Sequence, residues 1–149
     1  MAQTYIGSTL RTGSGSLTDT VDGGYVVTAQ TTTVTTAADG SATSSYVTLP
    51  AYSQIINIFI DQTQNETVGG GTATAINATV GTAAAGTQYV SATDVIGGGR
   101  AALTFTAAQL AAMADIGTSQ AVYITVDPNG TIATTQGIYR LTVVYAQKV

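Results

Sequence analysis

From Tyr25 onward the chain alternates runs rich in Val, Ile, Thr and Tyr with clusters of Gly, Asp, Asn and Pro, the pattern of short strands separated by turns. Residues 25–36 are dominated by β-branched and aromatic side chains, and Ala38-Asp39-Gly40 supplies the Asp-Gly pair of a tight turn. A second strand is predicted at 45–49. Pro50 separates it from the strongest run, residues 52–63, in which Ile56, Ile58 and Ile60 share one face and Ile55, Asn57 and Phe59 the other. With both faces mostly apolar, that run suits a central strand packed on two sides. Alternation over 72–80 predicts a strand of small side chains, with Ala73, Ala75, Asn77 and Thr79 on one face. Short strands are predicted near 88–90 and over 100–105.

The period then changes. Thr106-Ala107-Ala108-Gln109 has the form of a capping box, in which a hydroxyl and an amide side chain satisfy each other's backbone N–H, and it predicts one helix at about 107–114 with Leu110 and Met113 on one side. Gly117 follows just beyond its end. Two strong strands close the sequence, 121–126 and 137–146, joined through Asp127-Pro128-Asn129-Gly130, where Pro pre-sets φ and Gly tolerates φ > 0. In the last strand Ile138, Arg140, Thr142 and Val144 oppose an apolar face of Tyr139, Leu141, Val143 and Tyr145. Seven or eight strands with one short helix imply an all-β fold, a two-layer β-sandwich of jelly-roll type over residues 23–149.

Residues 1–22 differ. Thr, Ser and Gly are in excess and the apolar residues Tyr5, Ile6, Leu10 and Leu17 follow neither a helical nor a strand period, so the segment reads as an extended N-terminal arm with a docking role. Gly13-Ser14-Gly15-Ser16 is a flexible linker by composition, and Asp22-Gly23-Gly24 is a turn signal ahead of the first strand.

Composition narrows the chemistry. The 149 residues include no His and no Cys, which removes imidazole bases, thiolate nucleophiles, zinc sites with nitrogen or sulfur ligands, and disulfides; the expectation is a protein that is not an enzyme and holds no metal or cofactor. Charged residues make up 8%, against about 25% in a typical soluble domain, while Thr supplies 29 residues and Ala 23. A surface of neutral hydroxyls and amides loses water more cheaply than one of Lys and Glu, so much of it is expected to be covered by other protein. Arg11, Arg100, Arg140 and Lys148 are scattered, which argues against nucleic acid and anionic membranes as partners. Residues 1–13 lack the apolar core of a secretory signal, and the most apolar long stretch, 101–117, is broken by Thr104, Thr106, Gln109 and Asp115; the expectation is a soluble protein made in a cytoplasm.

The remaining motifs are weak. Two glycine triplets invite a phosphate loop, but the chain's one Lys, Lys148, is next to last and the required Gly-Lys-Ser/Thr is missing. Asp61 and Glu66 flank the loop after the strongest strand, and Asp19 and Asp22 are close in sequence; either pair would need a shared cleft to act as acid and base. Neither Asp19–Asp22 nor Asp127–Asn129 has the oxygen count of a calcium loop. Asn65, Asn77 and Asn129 head Asn-x-Thr sequons that a Thr-rich chain produces cheaply. Tyr123, Tyr139 and Tyr145 are expected in the core or on a sheet face, whereas Tyr46, Tyr52 and Tyr89 lie near strand ends, where packing is expected and a ring could also stack on a sugar. Glu66-Thr-Val-Gly-Gly-Gly echoes Asp94-Val-Ile-Gly-Gly-Gly, each read as a flexible lead into a strand.

Residues 52–63, the closing strand 137–147, the Thr/Ala/Gly composition without Cys or His, and the loose arm together resemble the small decoration, or cement, proteins of tailed-bacteriophage heads. That resemblance implies a β-rich homotrimer on the outer capsid surface, bound to the major capsid protein and bridging neighbouring capsomers. It further implies that Tyr5, Ile6, Leu10, Arg11 and Leu17 lie across capsid or neighbouring subunits. The competing classes are a carbohydrate- or receptor-binding β-sandwich and another virion part, such as a head-fibre or tail-tube subunit.

Overall fold

A computed structural model describes residues 25–148 as two four-stranded antiparallel sheets and one helix. The strands are β1 (Tyr25–Thr35), β2 (Thr43–Leu49), β3 (Ser53–Gln64), β4 (Ile76–Gly81), β5 (Val90–Asp94), β6 (Gly99–Arg100), β7 (Gln120–Pro128) and β8 (Ile138–Lys148), with α1 (Ala107–Ala114) between β6 and β7. One sheet has the order β1-β8-β3-β6, the other β2-β7-β4-β5. First pairs with last, second with seventh, third with sixth and fourth with fifth. This is an antiparallel ribbon folded over on itself and then wrapped, so that β8 also meets β3 and β7 meets β4. The jelly roll expected from the sequence is therefore observed.

The core lies between the sheets. The apolar face of β8 is sealed, with Tyr139, Leu141 and Val143 at zero exposure, and Val122, Ile124 and Val126 of β7 meet it together with Ile76, Ala78 and Val80 of β4. Burying each such aliphatic side chain contributes about 1.5–3 kcal/mol, enough to assemble the sandwich without cross-links. Two loop segments bring in Tyr89 and Ile132.

Several expectations are corrected. β3 is an interior strand, between β8 and β6, as expected, but it is not packed on two sides: Ile55, Ile58 and Ile60 are buried on one face, whereas Ile56 is 51% exposed on the other. Nor do Ile56, Ile58 and Ile60 share a face. The ladder to β8 slips between Ile55 and Asn57, so two residues oppose one across a β-bulge; Ile55, Ile58 and Ile60 all turn to the core and Ile56 stands outside. The strand predicted over 72–80 starts only at Ile76, because Asn129 Oδ1 accepts from the N–H groups of Thr74 and Ala75 and holds them out of the ladder. Of the stretch 100–105, only Arg100 is strand, yet Ala101, Leu103 and Phe105 still pack against the core.

The helix forms where the capping box placed it. Gln109 N–H donates to Thr106 Oγ1 at 3.2 Å and Thr106 N–H to Gln109 Oε1 at 2.9 Å. The buried side of α1 is Gln109 and Met113, and Leu110 is exposed. Gln109 faces inward because its amide also donates to Thr87 O and Ser91 Oγ, fastening the helix to β5. No helix among the described residues is long and apolar enough to cross a membrane.

Candidate functional surface

The candidate carboxylates separate onto opposite sides of one sheet. Because β3 alternates after the bulge, Ile58, Ile60 and Gln62 point inward while Asn57, Phe59 and Asp61 point outward. Asp61 stands in register with Arg100 of β6 on one side and Arg140 of β8 on the other. It accepts from Arg100 Nε at 2.7 Å and from Arg140 Nη2 at 3.2 Å. The Arg100 guanidinium, and secondarily that of Arg140, hold its carboxyl below the usual range. Arg100 also lies over the Phe59 ring, 4.5 Å from its centroid. Asp61 is thus a fixed anion between two cations, not a free acid or base.

Glu66 goes the other way. Tyr139 Oη donates to Glu66 Oε2 at 2.9 Å, Gln62 Nε2 donates to the same oxygen, and Gly97 N–H donates to Oε1 at 3.3 Å. Burial, and then the Glu66 carboxylate, push the Tyr139 phenol well above its ordinary range, so it stays a donor. Room for the pair comes from Gly137, where a Cβ would lie 2.9 Å from both Glu66 Oε2 and the Tyr139 ring. The two echoed loops therefore meet: the first supplies the carboxylate and the second, through Gly97 at φ +96°, the backbone donor. Asp94 plays the matching part nearby, its Oδ1 accepting from the N–H groups of Ile76 and Ile96. Both segments, expected as flexible leads, are pinned by their carboxylates. The triplet 97–99 cradles a side chain of its own protein.

What remains outward is mostly uncharged. On the β1-β8-β3 face the register brings together Ala29, Thr31 and Thr33 of β1, Thr142 and Val144 of β8, and Asn57 and Phe59 of β3, with the Arg140-Asp61-Arg100 row at one end. The opposite face carries Ser44, Tyr46 and Thr48 of β2 beside Ala121, Tyr123 and Thr125 of β7. Tyr46 and Tyr123 are cross-strand partners with ring centroids 5.0 Å apart, tilted by 36°. Thr125 is covered, since the loop after β4 folds back and Ala85 N–H donates to its Oγ1.

Among the tyrosines expected near strand ends, Tyr46 and Tyr52 are exposed, but Tyr89 is buried in the core. Tyr52 has φ +59°, rare for a bulky residue, and its N–H is held by Gly117 O. Asn129, expected as a cheap sequon, is occupied: its Nδ2 donates to Thr74 Oγ1. Among the described residues no group of three or more Asp or Glu is placed to hold a metal ion. The predicted assembly contacts Tyr5, Ile6, Leu10, Arg11 and Leu17, with Asp19 and Asp22, lie outside the described residues. The pairing of Glu66 with Tyr139, a residue of β8, carries no signal in the sequence.

No family model and no curated protein matches the chain. Among solved structures it is similar to a chain of the cyanophage Pam1 capsid asymmetric unit, at 21% identity and a TM-score of 0.56, over 89% of this chain and 91% of that one. At that identity the likeness is one of fold.

Proposed function

We propose that this protein is a virion structural component, a decoration or cement protein that binds the outer surface of a tailed-phage capsid and bridges neighbouring capsomers. The observation that carries this reading is the largely uncharged exterior of both sheets, where hydroxyl, amide and small apolar side chains lie in register and the Arg140-Asp61-Arg100 row, with one carboxylate between two cations, is confined to one end. The near full-length fold likeness to a chain from a phage capsid supports a place in the virion. Its partners in this reading are the major capsid protein and two further copies of itself, and it is made in the host cytoplasm before joining the particle.

The mechanism is linkage. A protein that binds only the assembled lattice stabilises it by the free energy of that binding, and many symmetric copies make individually weak contacts effective. Covering hydrogen-bonded Thr and Gln costs less desolvation than covering unpaired Lys or Glu, so such contacts need no charge pairing. The arm of residues 1–22 adds contact area by ordering on docking.

The test is to add purified protein to expanded capsids that lack it. Stoichiometric co-sedimentation and a raised temperature of capsid rupture are expected, with weaker attachment after deletion of residues 1–22. Absence of binding to intact shells opposes the reading, and undiminished binding by the truncated chain opposes the role of the arm. Light scattering on the isolated chain checks the trimer. A second reading, a carbohydrate-binding module, draws on the exposed Tyr46 beside Tyr123. A glycan array decides it, with binding that is lost in Tyr46→Ala as the supporting result.

A further inference from the structure

The loop between β4 and β5 runs back over the outer face of its own sheet. Ala85 N–H donates to Thr125 Oγ1 of β7 at 2.7 Å, and Gln88 Oε1 accepts from Thr82 N–H at 3.1 Å, which clasps residues 82–88 at their base. The approach is close enough that a Cβ on Gly81 would collide with the Gly86 backbone. Thr125 is also the centre of a cross-strand row of hydroxyls, with Ser44 of β2 opposite it on one side and Thr79 of β4 on the other. Ser44 Oγ and Thr125 Oγ1 are 2.8 Å apart, and Thr125 is buried where the loop crosses it.

Two features oppose this closed arrangement. Gly86 N–H donates to Ala83 O at 3.0 Å, which makes residues 83–86 a β-turn with Ala85 in its third position at φ +59°. That position suits glycine, and alanine takes it against the steric resistance of its own Cβ. The second feature is the Thr79 hydroxyl, whose Oγ1 is buried without a hydrogen-bond partner among the described residues. A hydroxyl removed from water without a replacement partner disfavours the state that buries it. The loop itself contributes nothing to the core: Ala83, Ala84, Ala85, Thr87 and Gln88 are exposed, whereas Val80 before it and Tyr89 and Val90 after it are buried and anchor both ends.

We propose that residues 82–88 form a strap that opens and closes over the outer face of β4 and β7 while the sandwich stays folded. Closed, it is held by Thr125 and Gln88 and covers the middle of the hydroxyl row. Open, it releases Ala85 from the left-handed region and gives Thr79 Oγ1 to water. It then presents Ser44, Thr125 and Thr79 side by side on adjacent strands, next to the Tyr46–Tyr123 pair. A closed state with few bonds of its own and local costs against it opens well below the free energy of unfolding. A partner that hydrogen-bonds the row selects the open state to the extent that it prefers it, so the strap sets which surface this sheet offers. The inference concerns the domain itself and stands whether or not the protein binds capsids.

Hydrogen exchange of the full chain, followed residue by residue in urea well below the unfolding midpoint, tests it. The amides of Ala85 and Gly86 are expected to be protected, yet to exchange about a hundredfold or more faster than the slowest amides of β8, with little dependence on urea, the mark of an opening that exposes little surface. Ala85→Gly removes the steric cost and Thr79→Val the buried hydroxyl, and each is expected to raise the protection of Gly86 severalfold. Thr125→Val removes the acceptor and is expected to lower it, with the β8 amides still the slowest and reporting an intact sandwich. Exchange of Ala85 and Gly86 at the rate and urea slope of β8 in the unaltered chain overturns the proposal, because the loop then moves only when the whole protein unfolds. Exchange at the rate of an unprotected amide overturns it as well, since the strap then has no closed state. So does protection that fails to move in the stated direction in any of the three variants.

Discussion

Glu66 and Tyr139 are separated by 73 positions, and nothing about either residue announces the other. The buried phenol has zero exposure and its hydroxyl ends on a carboxylate that also holds Gln62 and the 97–99 loop. Replacing Tyr139 by Phe removes the donor and leaves the charge beside a ring edge, so the expected loss is about 1–3 kcal/mol in urea unfolding. A neutral result would assign the carboxylate to solvent. The outward carboxylate behaves differently because its partners are charged. Asp61 has its folded pKa lowered, so the stability it contributes is present above the unfolded-chain value of about 4 and is lost as pH falls through the lower folded value. Arg100→Ala is expected to move the Asp61 titration, followed by carboxyl carbon NMR, to higher pH, and by more than Arg140→Ala does; the reverse order would contradict the pairing. Charge partners across a ladder are invisible until register is known, which is why Asp61 and Glu66 read as one candidate pair in the sequence and serve two unrelated structures in the fold.

Elements were legible where a local rule decides them. The Thr106–Gln109 box sets the start of α1 because both hydrogen bonds lie within one turn, and Thr106→Ala is expected to cost about 1 kcal/mol in thermal or urea unfolding. The strands of β7 and β8 follow from alternation alone. The bulge in β3 could not be read, because Ile55 and Ile56 are chemically identical and either phase of the run looks apolar; the choice is made by β8, whose sealed face requires Ile55, Ile58 and Ile60 together. Tertiary hydrogen bonds to Thr87 and Ser91 likewise turned Gln109 inward in place of Leu110. Deletions separate the two situations. Removing Ile56 takes out the extra residue and keeps the phase of the three core isoleucines, so a folded, modestly destabilised protein is expected. Removing Phe59 throws Ile60 outward, at about 1.5–3 kcal/mol for that side chain alone, and a collapse of the melting transition is expected. Equal effects of the two deletions in thermal melts would argue against the bulge.

At the scale of the molecule, fold class came from counting strands and turns, whereas the strand order could not, since pairing of β1 with β8 is a contact between the two ends of the described chain. The largely uncharged exterior makes a prediction of its own. Attachment driven by desolvated hydroxyl and apolar surface should change little between about 0.1 and 1 M salt, where the screening length falls from about 10 to 3 Å. Release of the protein from capsids on raising salt over that range would shift the weight to the Arg140-Asp61-Arg100 row.

The ladder between Tyr25 and Lys148 also governs when this protein is able to exist at all. On a ribosome, the first strand leaves the exit tunnel with its neighbour still unmade, and β3 waits for the same missing piece. The layer that holds β8 cannot close until residues 138–148 have emerged, whereas the β2-β7-β4-β5 layer has all its strands once Pro128 is made. Closure of the β8 sheet is therefore late, slow in the way that distant pairings are slow, and a nascent chain stalled before residue 138 should leave β1 and β3 open to protease.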